Sequence, residues 1–215
     1  MSAGPAAPVV GFDLDMTLVD SARGIGATMA ALAEVAGEPR LADPALLGVL
    51  LRSTIEVELE RLVGPERTPE LLERYRDLYI AHGVPATTAM PGAAAALDAV
   101  RALGGRVLVV TAKFADNAHR CLAAAGLEAD EVVGGLWGEE KAGALRAHGA
   151  RLYVGDTVAD VRAALAAGVT PVLVTSGPDD AATLRAAGAE VVLASLEELP
   201  PVLPELLAGA AALEG

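Results

Sequence analysis

The sequence is organised around six short runs of apolar, largely β-branched residues that recur along the chain. Within each run the apolar residues are nearly continuous rather than alternating, which is typical of strands that are covered on both faces. The predicted strands are residues 8–12, 106–110, 131–133, 151–154, 171–174 and 190–193. A chain built on such runs must place its strands inside the fold, between other layers.

Alanine-rich stretches of helical character separate these runs, and most of them end in glycine. A glycine just past a helix adopts the left-handed conformation that ends the helix, after which a strand can begin. The glycines in these positions are Gly104, Gly105, Gly126, Gly149, Gly168 and Gly188. The order strand, helix, glycine, strand predicts βαβ units and a doubly wound, parallel α/β sheet. An all-helical, alanine-rich bundle would explain the helices but not the valine runs.

One long segment, residues 21–89, interrupts this alternation and contains no convincing strand. Its apolar residues repeat at helical spacing, and nearly seventy residues are too many for a single crossover connection. The sequence therefore predicts an α/β core made of residues 1–20 and 90–215, interrupted by a helical subdomain at residues 21–89. Residues 84–91 form the expected return linker.

The balance of charges excludes several classes of partner. With 16 Lys and Arg against 29 Asp and Glu, the formal net charge is −13, and no basic residues cluster into a stripe. Nucleic acids and anionic membrane surfaces both call for basic clusters, so neither is an expected partner. A small phosphorylated substrate is compatible with this charge, because a metal ion can make one site locally positive.

The composition also predicts a soluble, cytoplasmic protein. Hydrophobic residues make up 53% of the chain, but the longest uncharged stretch, residues 163–178, is too short to cross a bilayer. The single cysteine, Cys121, cannot form an internal disulfide, which fits a reducing compartment. Residues 1–5 lack the basic start of a signal peptide, so none is expected.

Paired acidic residues follow the first predicted strand. Asp13 and Asp15 lie two positions apart, so an extended backbone would direct both toward the same side. In open parallel sheets ligands bind at the carboxyl ends of strands, and two clustered carboxylates favour a hard divalent cation there. A pair of capping aspartates is the structural alternative, but it explains the pattern Asp-x-Asp-x-Thr poorly.

A second acidic pair, Asp156 and Asp160, follows the strand predicted at residues 151–154. Gly155 allows close approach of the backbone, and Asp160 lies one helical turn beyond Asp156. Capping of the next helix by Asp156 or Thr157 would explain one of these acidic residues but not both.

Two further groups stand in positions where they could bind phosphoryl oxygens. Thr111, Ala112 and Lys113 end the strand predicted at residues 106–110, and Lys141 precedes a helix. Neither signal is specific alone, because a threonine after a strand is usually a cap and Lys141 has acidic neighbours.

Together and in this order, these residues resemble the four motifs of the haloacid dehalogenase-like (HAD) hydrolase superfamily. Asp13-x-Asp15-x-Thr17-Leu18 is similar to its first motif, Thr111 to its second, Lys141 to its third, and Gly155-Asp156 with Asp160 to its fourth. The resemblance covers nearly the whole chain. The inserted helices resemble the cap of the subgroup that contains phosphoglycolate phosphatases and β-phosphoglucomutases.

The resemblance implies a metal-assisted, nucleophilic mechanism. Asp13 would attack phosphorus to form an aspartyl-phosphate, while Asp15 would act as general acid and then as general base. It also implies Mg²⁺ bound by Asp13, the Asp15 carbonyl, Asp156 and Asp160. Thr111, Ala112 and Lys141 are the implied substrate-binding residues.

The sequence departs from the family pattern at three points. Met16 stands where the first motif usually has glycine, Lys141 is not followed by proline, and only 15 positions separate Lys141 from Asp156. These departures bear on the identity of the substrate more than on the type of reaction.

Substrate selection is expected in the inserted helices, by analogy with caps that close over the site. Arg52 lies at a helix–helix junction where such caps project a specificity loop, and it is a predicted substrate ligand. An exposed surface arginine is the structural alternative.

The function predicted from the sequence is a Mg²⁺-dependent phosphatase that acts on a small phosphorylated metabolite, as a monomer or homodimer. A β-phosphoglucomutase-like phosphomutase and a catalytically silent binding protein on the same fold are the alternatives. A signalling receiver domain is disfavoured because it would have about half this length and no insertion.

Overall fold

The computed structural model describes residues 7–212 and contains eight strands within that range. They are β1 (Val9–Phe12), β2 (Val19–Asp20), β3 (Thr88–Ala89), β4 (Arg106–Val110), β5 (Glu131–Val133), β6 (Ala150–Gly155), β7 (Thr170–Val174) and β8 (Val191–Leu193). Each of the six predicted runs forms a strand, within one residue of its predicted ends. The expected lack of a signal peptide concerns residues 1–5, which lie outside the described residues.

Ten α-helices connect these strands in the described part of the chain. They are α1 (Ala22–Ala36), α2 (Ala45–Leu50), α3 (Ile55–Val63), α4 (Thr68–His82), α5 (Ala93–Ala102), α6 (Ala115–Ala124), α7 (Lys141–Ala147), α8 (Val158–Ala167), α9 (Ala181–Ala186) and α10 (Leu199–Ala212). No helix between residues 7 and 212 combines the length and the apolar character needed to cross a membrane.

Six strands form one parallel sheet in the order β5-β4-β1-β6-β7-β8. Successive residues of β1 face opposite sides: Val10 packs with α5, α6 and α10, whereas Val9 packs with α7 and α8. Both faces of the sheet are therefore covered by helices, which is why its strands are almost continuously apolar. The predicted doubly wound α/β fold is confirmed.

The inserted segment folds into α1 to α4 and returns to the sheet through a two-stranded ribbon. In this ribbon β2 pairs antiparallel with β3, and Val19 lies opposite Ala89. The prediction that residues 21–89 contain no strand is therefore wrong at Thr88–Ala89. Two residues carry no detectable periodicity, and their pairing arises only because both ends of the insertion meet at one place.

The apolar side chains of α1 to α4 belong to the same buried cluster as one face of the sheet. Leu32, Leu59 and Leu71 are buried in it together with Val10 and Phe12. The division into a core and a separate helical subdomain with the boundaries given above stays a prediction.

Gly24 of α1 lies directly against the backbone of Gly83, the residue that follows α4. A Cβ atom at this position would lie 2.6 Å from the carbonyl oxygen of Gly83, whereas a Cβ at Gly26 would meet nothing within 4 Å. A side chain at position 24 would therefore force α1 and the end of α4 apart.

We expect Gly24→Ala to lower the free energy of unfolding by about 1–3 kcal/mol, because a backbone atom cannot move aside as a flexible side chain can. The matched control Gly26→Ala, on the same helix, should raise it by about 0.5–1 kcal/mol through its helix propensity. Urea unfolding of the three proteins measures both effects. Equal effects of the two substitutions would contradict the close packing.

Candidate active site

Residues from the four motifs meet at the carboxyl-terminal edge of the sheet. Asp13 follows β1, Thr111 follows β4 and Asp156 follows β6, and these three strands are neighbours. Lys141 begins α7, and Asp160 lies in the first turn of α8. Because adjacent parallel strands open on the same edge, residues far apart in sequence converge there.

Lys141 is the centre of a buried hydrogen-bond network. Its Nζ atom lies 2.8 Å from Asp13 Oδ1, 2.8 Å from Asp160 Oδ1 and 2.9 Å from Tyr153 Oη. The Tyr153 hydroxyl in turn donates to the Val110 carbonyl oxygen at 2.9 Å. An ammonium group has three hydrogens, and each of them has an acceptor here. Lys141 therefore acts in this state as a buried counter-charge that joins two aspartates.

Burial makes the negative charge of this cluster costly. It raises the pKa of Asp13 to about 7, although the nearby charge of Lys141 lowers it. Burial also holds the pKa of Asp156 well above its ordinary value, and the charges of Asp160 and Asp13 raise it further. One ammonium group does not compensate all three carboxylates.

Asp160 differs from the other two because its hydrogen bonds favour the charged form. Burial raises its pKa, but the charge and hydrogen bond of Lys141 and the hydrogen bonds of Thr157 outweigh burial and hold the pKa below its ordinary value. Oδ2 accepts hydrogen bonds from Thr157 Oγ1 at 2.7 Å and from the Thr157 N–H at 3.1 Å. Asp160 thus forms a capping box with Thr157, the N-cap residue of α8, and also holds Lys141. The Asp156 side chain takes no part in the cap.

The arrangement of carboxylates fits a divalent cation. One carboxylate oxygen from each of Asp13, Asp156 and Asp160 lies within 4.8 Å of the other two, and all three residues are buried. Hard cations such as Mg²⁺ take oxygen ligands of this kind and neutralise clustered negative charge. Both oxygens of Asp160 are already hydrogen bonded, so Asp13 and Asp156 are the better candidates for direct ligands.

The loop after β1 takes a strained conformation at Met16. Its φ angle is +60°, in the left-handed region that favours glycine, at a cost of about 1 kcal/mol for a residue with a side chain. The Met16 N–H donates to the Val19 carbonyl at 2.8 Å, and Ser176 Oγ donates to the Met16 carbonyl at 2.7 Å. The turn that is usually built on glycine therefore accepts a side chain here.

The next residue of this loop orients an acidic group of the cluster. Thr17 Oγ1 donates to Asp156 Oδ1 at 2.7 Å. Gly177 lies against the same carboxylate so closely that any Cβ atom there would collide with it. Asp156 is thereby fixed from two sides.

Asp15 forms its ion pair with a second lysine, Lys113, rather than with Lys141. Lys113 Nζ lies 3.1 Å from Asp15 Oδ1 and 4.0 Å from the centre of the Tyr79 ring in α4. Burial opposes the charge of Lys113, but Asp15 and Tyr79 outweigh it and hold the pKa of the lysine well above its ordinary value. This contact joins the sheet edge to the inserted helices.

A cavity of about 600 Å³ opens between this edge of the sheet and the inserted helices. The predicted site residues Asp13, Asp15, Thr111, Ala112 and Asp156 line it. The cavity is therefore placed where a ligand could contact both aspartates of the first motif.

Two predicted substrate ligands, Lys141 and Arg52, are not among the residues that line the cavity. Arg52 Nε donates to Asp179 Oδ1 at 3.0 Å, and its guanidinium also donates to the carbonyl oxygens of Gly48 and Pro178. Arg52 thus bridges the inserted helices and the loop after β7. Its predicted role as a substrate ligand stays a prediction.

Tyr153, Ser176 and Asp179 also belong to this site but were not predicted from the sequence. Ser176 and Asp179 follow β7, so the rule that singles out the carboxyl ends of strands would have found them. Tyr153 lies within β6, and its contact with Lys141 depends on which face of the strand it occupies.

We expect the stability of the metal-free protein to fall as the pH rises from about 4 to about 7. The pKa of Asp13 is about 7 in the folded state against an ordinary 3.8, so in this window the folded protein holds a proton that the unfolded chain has released. The stabilisation is complete at a pH below the unfolded pKa of 3.8 and is lost as the pH rises through the folded pKa of about 7.

Asp13→Asn removes this titration, so its stability should fall less over the same window. Urea unfolding in EDTA across the pH range measures the difference. Asp77→Asn, which changes an exposed aspartate of α4, is the control and should follow the unmodified protein. Parallel curves for Asp13→Asn and the unmodified protein would contradict the assignment.

Comparison with known proteins gives consistent results. The family model for haloacid dehalogenase-like hydrolase matches residues 10–165, and a related HAD-hydrolase-like model matches residues 139–199. A phosphoglycolate phosphatase of Cereibacter sphaeroides is 33% identical over 221 residues, covering 94% of this chain and 100% of its own. A phosphoglycolate phosphatase of Caulobacter vibrioides is 29% identical over 217 residues, covering 92% and 91% of the two chains.

Solved structures share the fold. A haloacid dehalogenase-like family hydrolase of Streptococcus pneumoniae superposes with a TM-score of 0.79 at 20% identity, covering 92% of this chain and 98% of its own. A hydrolase of Pseudomonas syringae gives a TM-score of 0.73 at 24% identity, covering 93% and 98%. At these identities the likeness concerns the fold alone. Taken with the match of the family model to most of the chain, the fold and the four converging motifs show that this protein belongs to the haloacid dehalogenase-like hydrolase family.

Proposed function

We propose that this protein is a Mg²⁺-dependent phosphatase that hydrolyses a small phosphorylated metabolite through an aspartyl-phosphate on Asp13. The observation that carries this proposal is the buried cluster of Asp13, Asp156, Asp160 and Lys141, which borders a cavity large enough for a ligand. Family membership supports it. The relatives named phosphoglycolate phosphatase make phosphoglycolate the first substrate to test.

Asp13 and Asp156 would bind Mg²⁺ directly, with the Asp15 backbone carbonyl as a further ligand and Asp160 in a supporting position. The bound cation would offset the repulsion between the anionic nucleophile and an anionic phosphoryl group. Thr17 would keep Asp156 oriented for this role through its hydrogen bond.

Asp13 is suited to be the nucleophile because it is oriented and still accessible. Lys141 holds one of its oxygens at 2.8 Å, while the side chain is 12% exposed and lines the cavity. Attack by its carboxylate oxygen on phosphorus would form the aspartyl-phosphate and break the bond to the leaving alcohol. A water molecule would then cleave the aspartyl-phosphate, which releases phosphate and restores Asp13.

Asp15 would move the protons in both steps. It lines the same cavity two residues beyond Asp13 and would give a proton to the leaving oxygen in the first step. In the second step it would take a proton from the attacking water. Lys113, at 3.1 Å, would orient the Asp15 carboxylate for this exchange.

Thr111 and the neighbouring Ala112 line the cavity and would contact the phosphoryl oxygens. Lys141 would provide the positive charge beneath the phosphoryl group, and a direct contact would require it to exchange one of its three present partners.

A cytoplasmic location is supported by Cys121, which is buried and free.

Purified protein with Mg²⁺ should release phosphate from phosphoglycolate or another phosphate monoester, and Asp13→Asn should lower kcat by about a thousandfold or more, because the nucleophile is lost. The measurement is colorimetric phosphate release. Asp77→Asn, an equal change of charge on an exposed residue, should keep the activity.

Two results would count against this proposal. Isomerisation of a hexose phosphate without phosphate release would favour the phosphomutase alternative. Equal activity of Asp13→Asn and the unmodified protein would exclude Asp13 as the nucleophile.

Removal of divalent cations with EDTA should abolish phosphate release, and added Mg²⁺ should restore it. Asp156→Asn should raise the Mg²⁺ concentration for half-maximal activity by roughly tenfold to a hundredfold, because a ligand is weakened. Thermal unfolding gives a second readout, since Mg²⁺ should raise the Tm of the unmodified protein more than that of Asp156→Asn. Full activity in EDTA would contradict the metal requirement.

A further inference from the structure

The few aromatic residues of this chain are concentrated around the cavity. The sequence contains one tryptophan, three tyrosines and two phenylalanines. Four of these six line the cavity, and they are Tyr75, Tyr79, Phe114 and Trp137. Tyr75 and Tyr79 are buried in the apolar core, whereas Phe114 is exposed and Trp137 is half-buried. Phe114 and Trp137 therefore present the accessible aromatic surface beside the reacting groups.

Apolar side chains of the inserted helices complete the same surface. Ile25, Leu50, Ile55 and Leu72 also line the cavity, opposite the end of the sheet that carries Asp13. Pockets of about 300–1,000 Å³ with largely apolar walls and a few polar groups typically hold ligands of drug-like size. A two-carbon phosphate ester would leave most of such a cavity without contacts.

The cavity has this volume in a structure in which the inserted helices already contact the loops at the edge of the sheet. Arg52 donates to Asp179 at 3.0 Å, and Lys113 lies 4.0 Å from the Tyr79 ring. Both contacts join the inserted helices to the core. The space is therefore not explained by helices that stand away from the sheet.

Phe114 gives the cavity an exposed aromatic edge. It directly follows Lys113, its side chain is 46% exposed, and the guanidinium carbon of Arg76 lies 3.8 Å from its ring centre. A large apolar side chain left this exposed at a ligand cavity gains free energy when an apolar ligand covers it.

The charges on the cavity wall disfavour an anionic leaving group. Glu56, Glu139 and Glu140 line the cavity and are exposed, while Lys113 is already paired with Asp15. Arg76 also lines the cavity and has no carboxylate within 4 Å among the described residues, but its single positive charge stands against the three negative charges of these glutamates. A neutral leaving group avoids this repulsion.

We propose that the substrate is a phosphate monoester of a neutral, aromatic alcohol, and that Phe114 is a specificity-determining residue for its ring. This inference rests on the proposed phosphatase function and names the chemical class of the leaving group. The competing possibility, a leaving group whose carboxylate pairs with Arg76, predicts the opposite order of substrates.

The test compares kcat/KM for 2-naphthylmethyl phosphate and phosphoglycolate with Mg²⁺ present. Both esters release alcohols rather than acidic phenols, so the comparison reports recognition more than intrinsic reactivity. The naphthyl ester should be preferred by about tenfold or more, from the burial of one aromatic ring system.

Phe114→Ala should lower the ratio of the two kcat/KM values by about fivefold, because the stacking surface is lost. Leu103→Ala is the matched control: Leu103 is 43% exposed, lies outside the cavity and should leave the ratio unchanged. Calorimetric titration with 2-naphthylmethylphosphonate, which cannot be hydrolysed, should show weaker binding to Phe114→Ala than to Leu103→Ala.

Distinct results separate the two proposals. A preference for phosphoglycolate, or an unchanged ratio in Phe114→Ala, would overturn the aromatic leaving group while the phosphatase function stands. Absence of hydrolysis of the naphthyl ester, together with equal phosphonate binding by Phe114→Ala and Leu103→Ala, would overturn the aromatic leaving group. Absence of phosphate release from every phosphate monoester tested would instead contradict the phosphatase function.

Discussion

The ion cluster around Lys141 is the interaction on which the site depends. One buried ammonium joins Asp13, at the end of β1, to Asp160, in the first turn of α8. Charges with so little exposure persist only when they are paired and fully hydrogen bonded, and Tyr153 supplies the remaining acceptor. The sheet must therefore bring β1 and β6 side by side, with α7 close to their ends, before any of these groups can be buried.

The same region accumulates local costs that the rest of the fold offsets. Met16 adopts a left-handed conformation, and burial raises the pKa of both Asp13 and Asp156. Unfavourable local conformations and uncompensated charge are characteristic of functional sites, where they prepare groups for binding or reaction. The apolar clusters on both faces of the sheet provide the stability that holds this arrangement.

Contacts between the inserted helices and the sheet edge would link the proposed substrate binding to the proposed chemistry. Arg52 reaches the loop after β7, and Tyr79 lies over Lys113, which pairs with the proposed general acid and base Asp15. The helices thus supply the apolar wall of the cavity and also touch residues adjacent to the reacting groups. A shift of α4 would be transmitted to Asp15 through the side chain of Lys113, which contacts both Tyr79 and Asp15.

Much of this protein was determined by local sequence. The apolar runs fixed the six strands, and the parallel order placed Asp13, Thr111 and Asp156 together, since adjacent parallel strands end at one edge. Tertiary structure alone decided that Lys141 is fully engaged, that Arg52 pairs with Asp179, that β2 pairs with β3, and that four aromatic rings surround the cavity. The physical reason is that periodicity reports which face of an element is buried, whereas the partner of a long side chain depends on residues far away in the sequence.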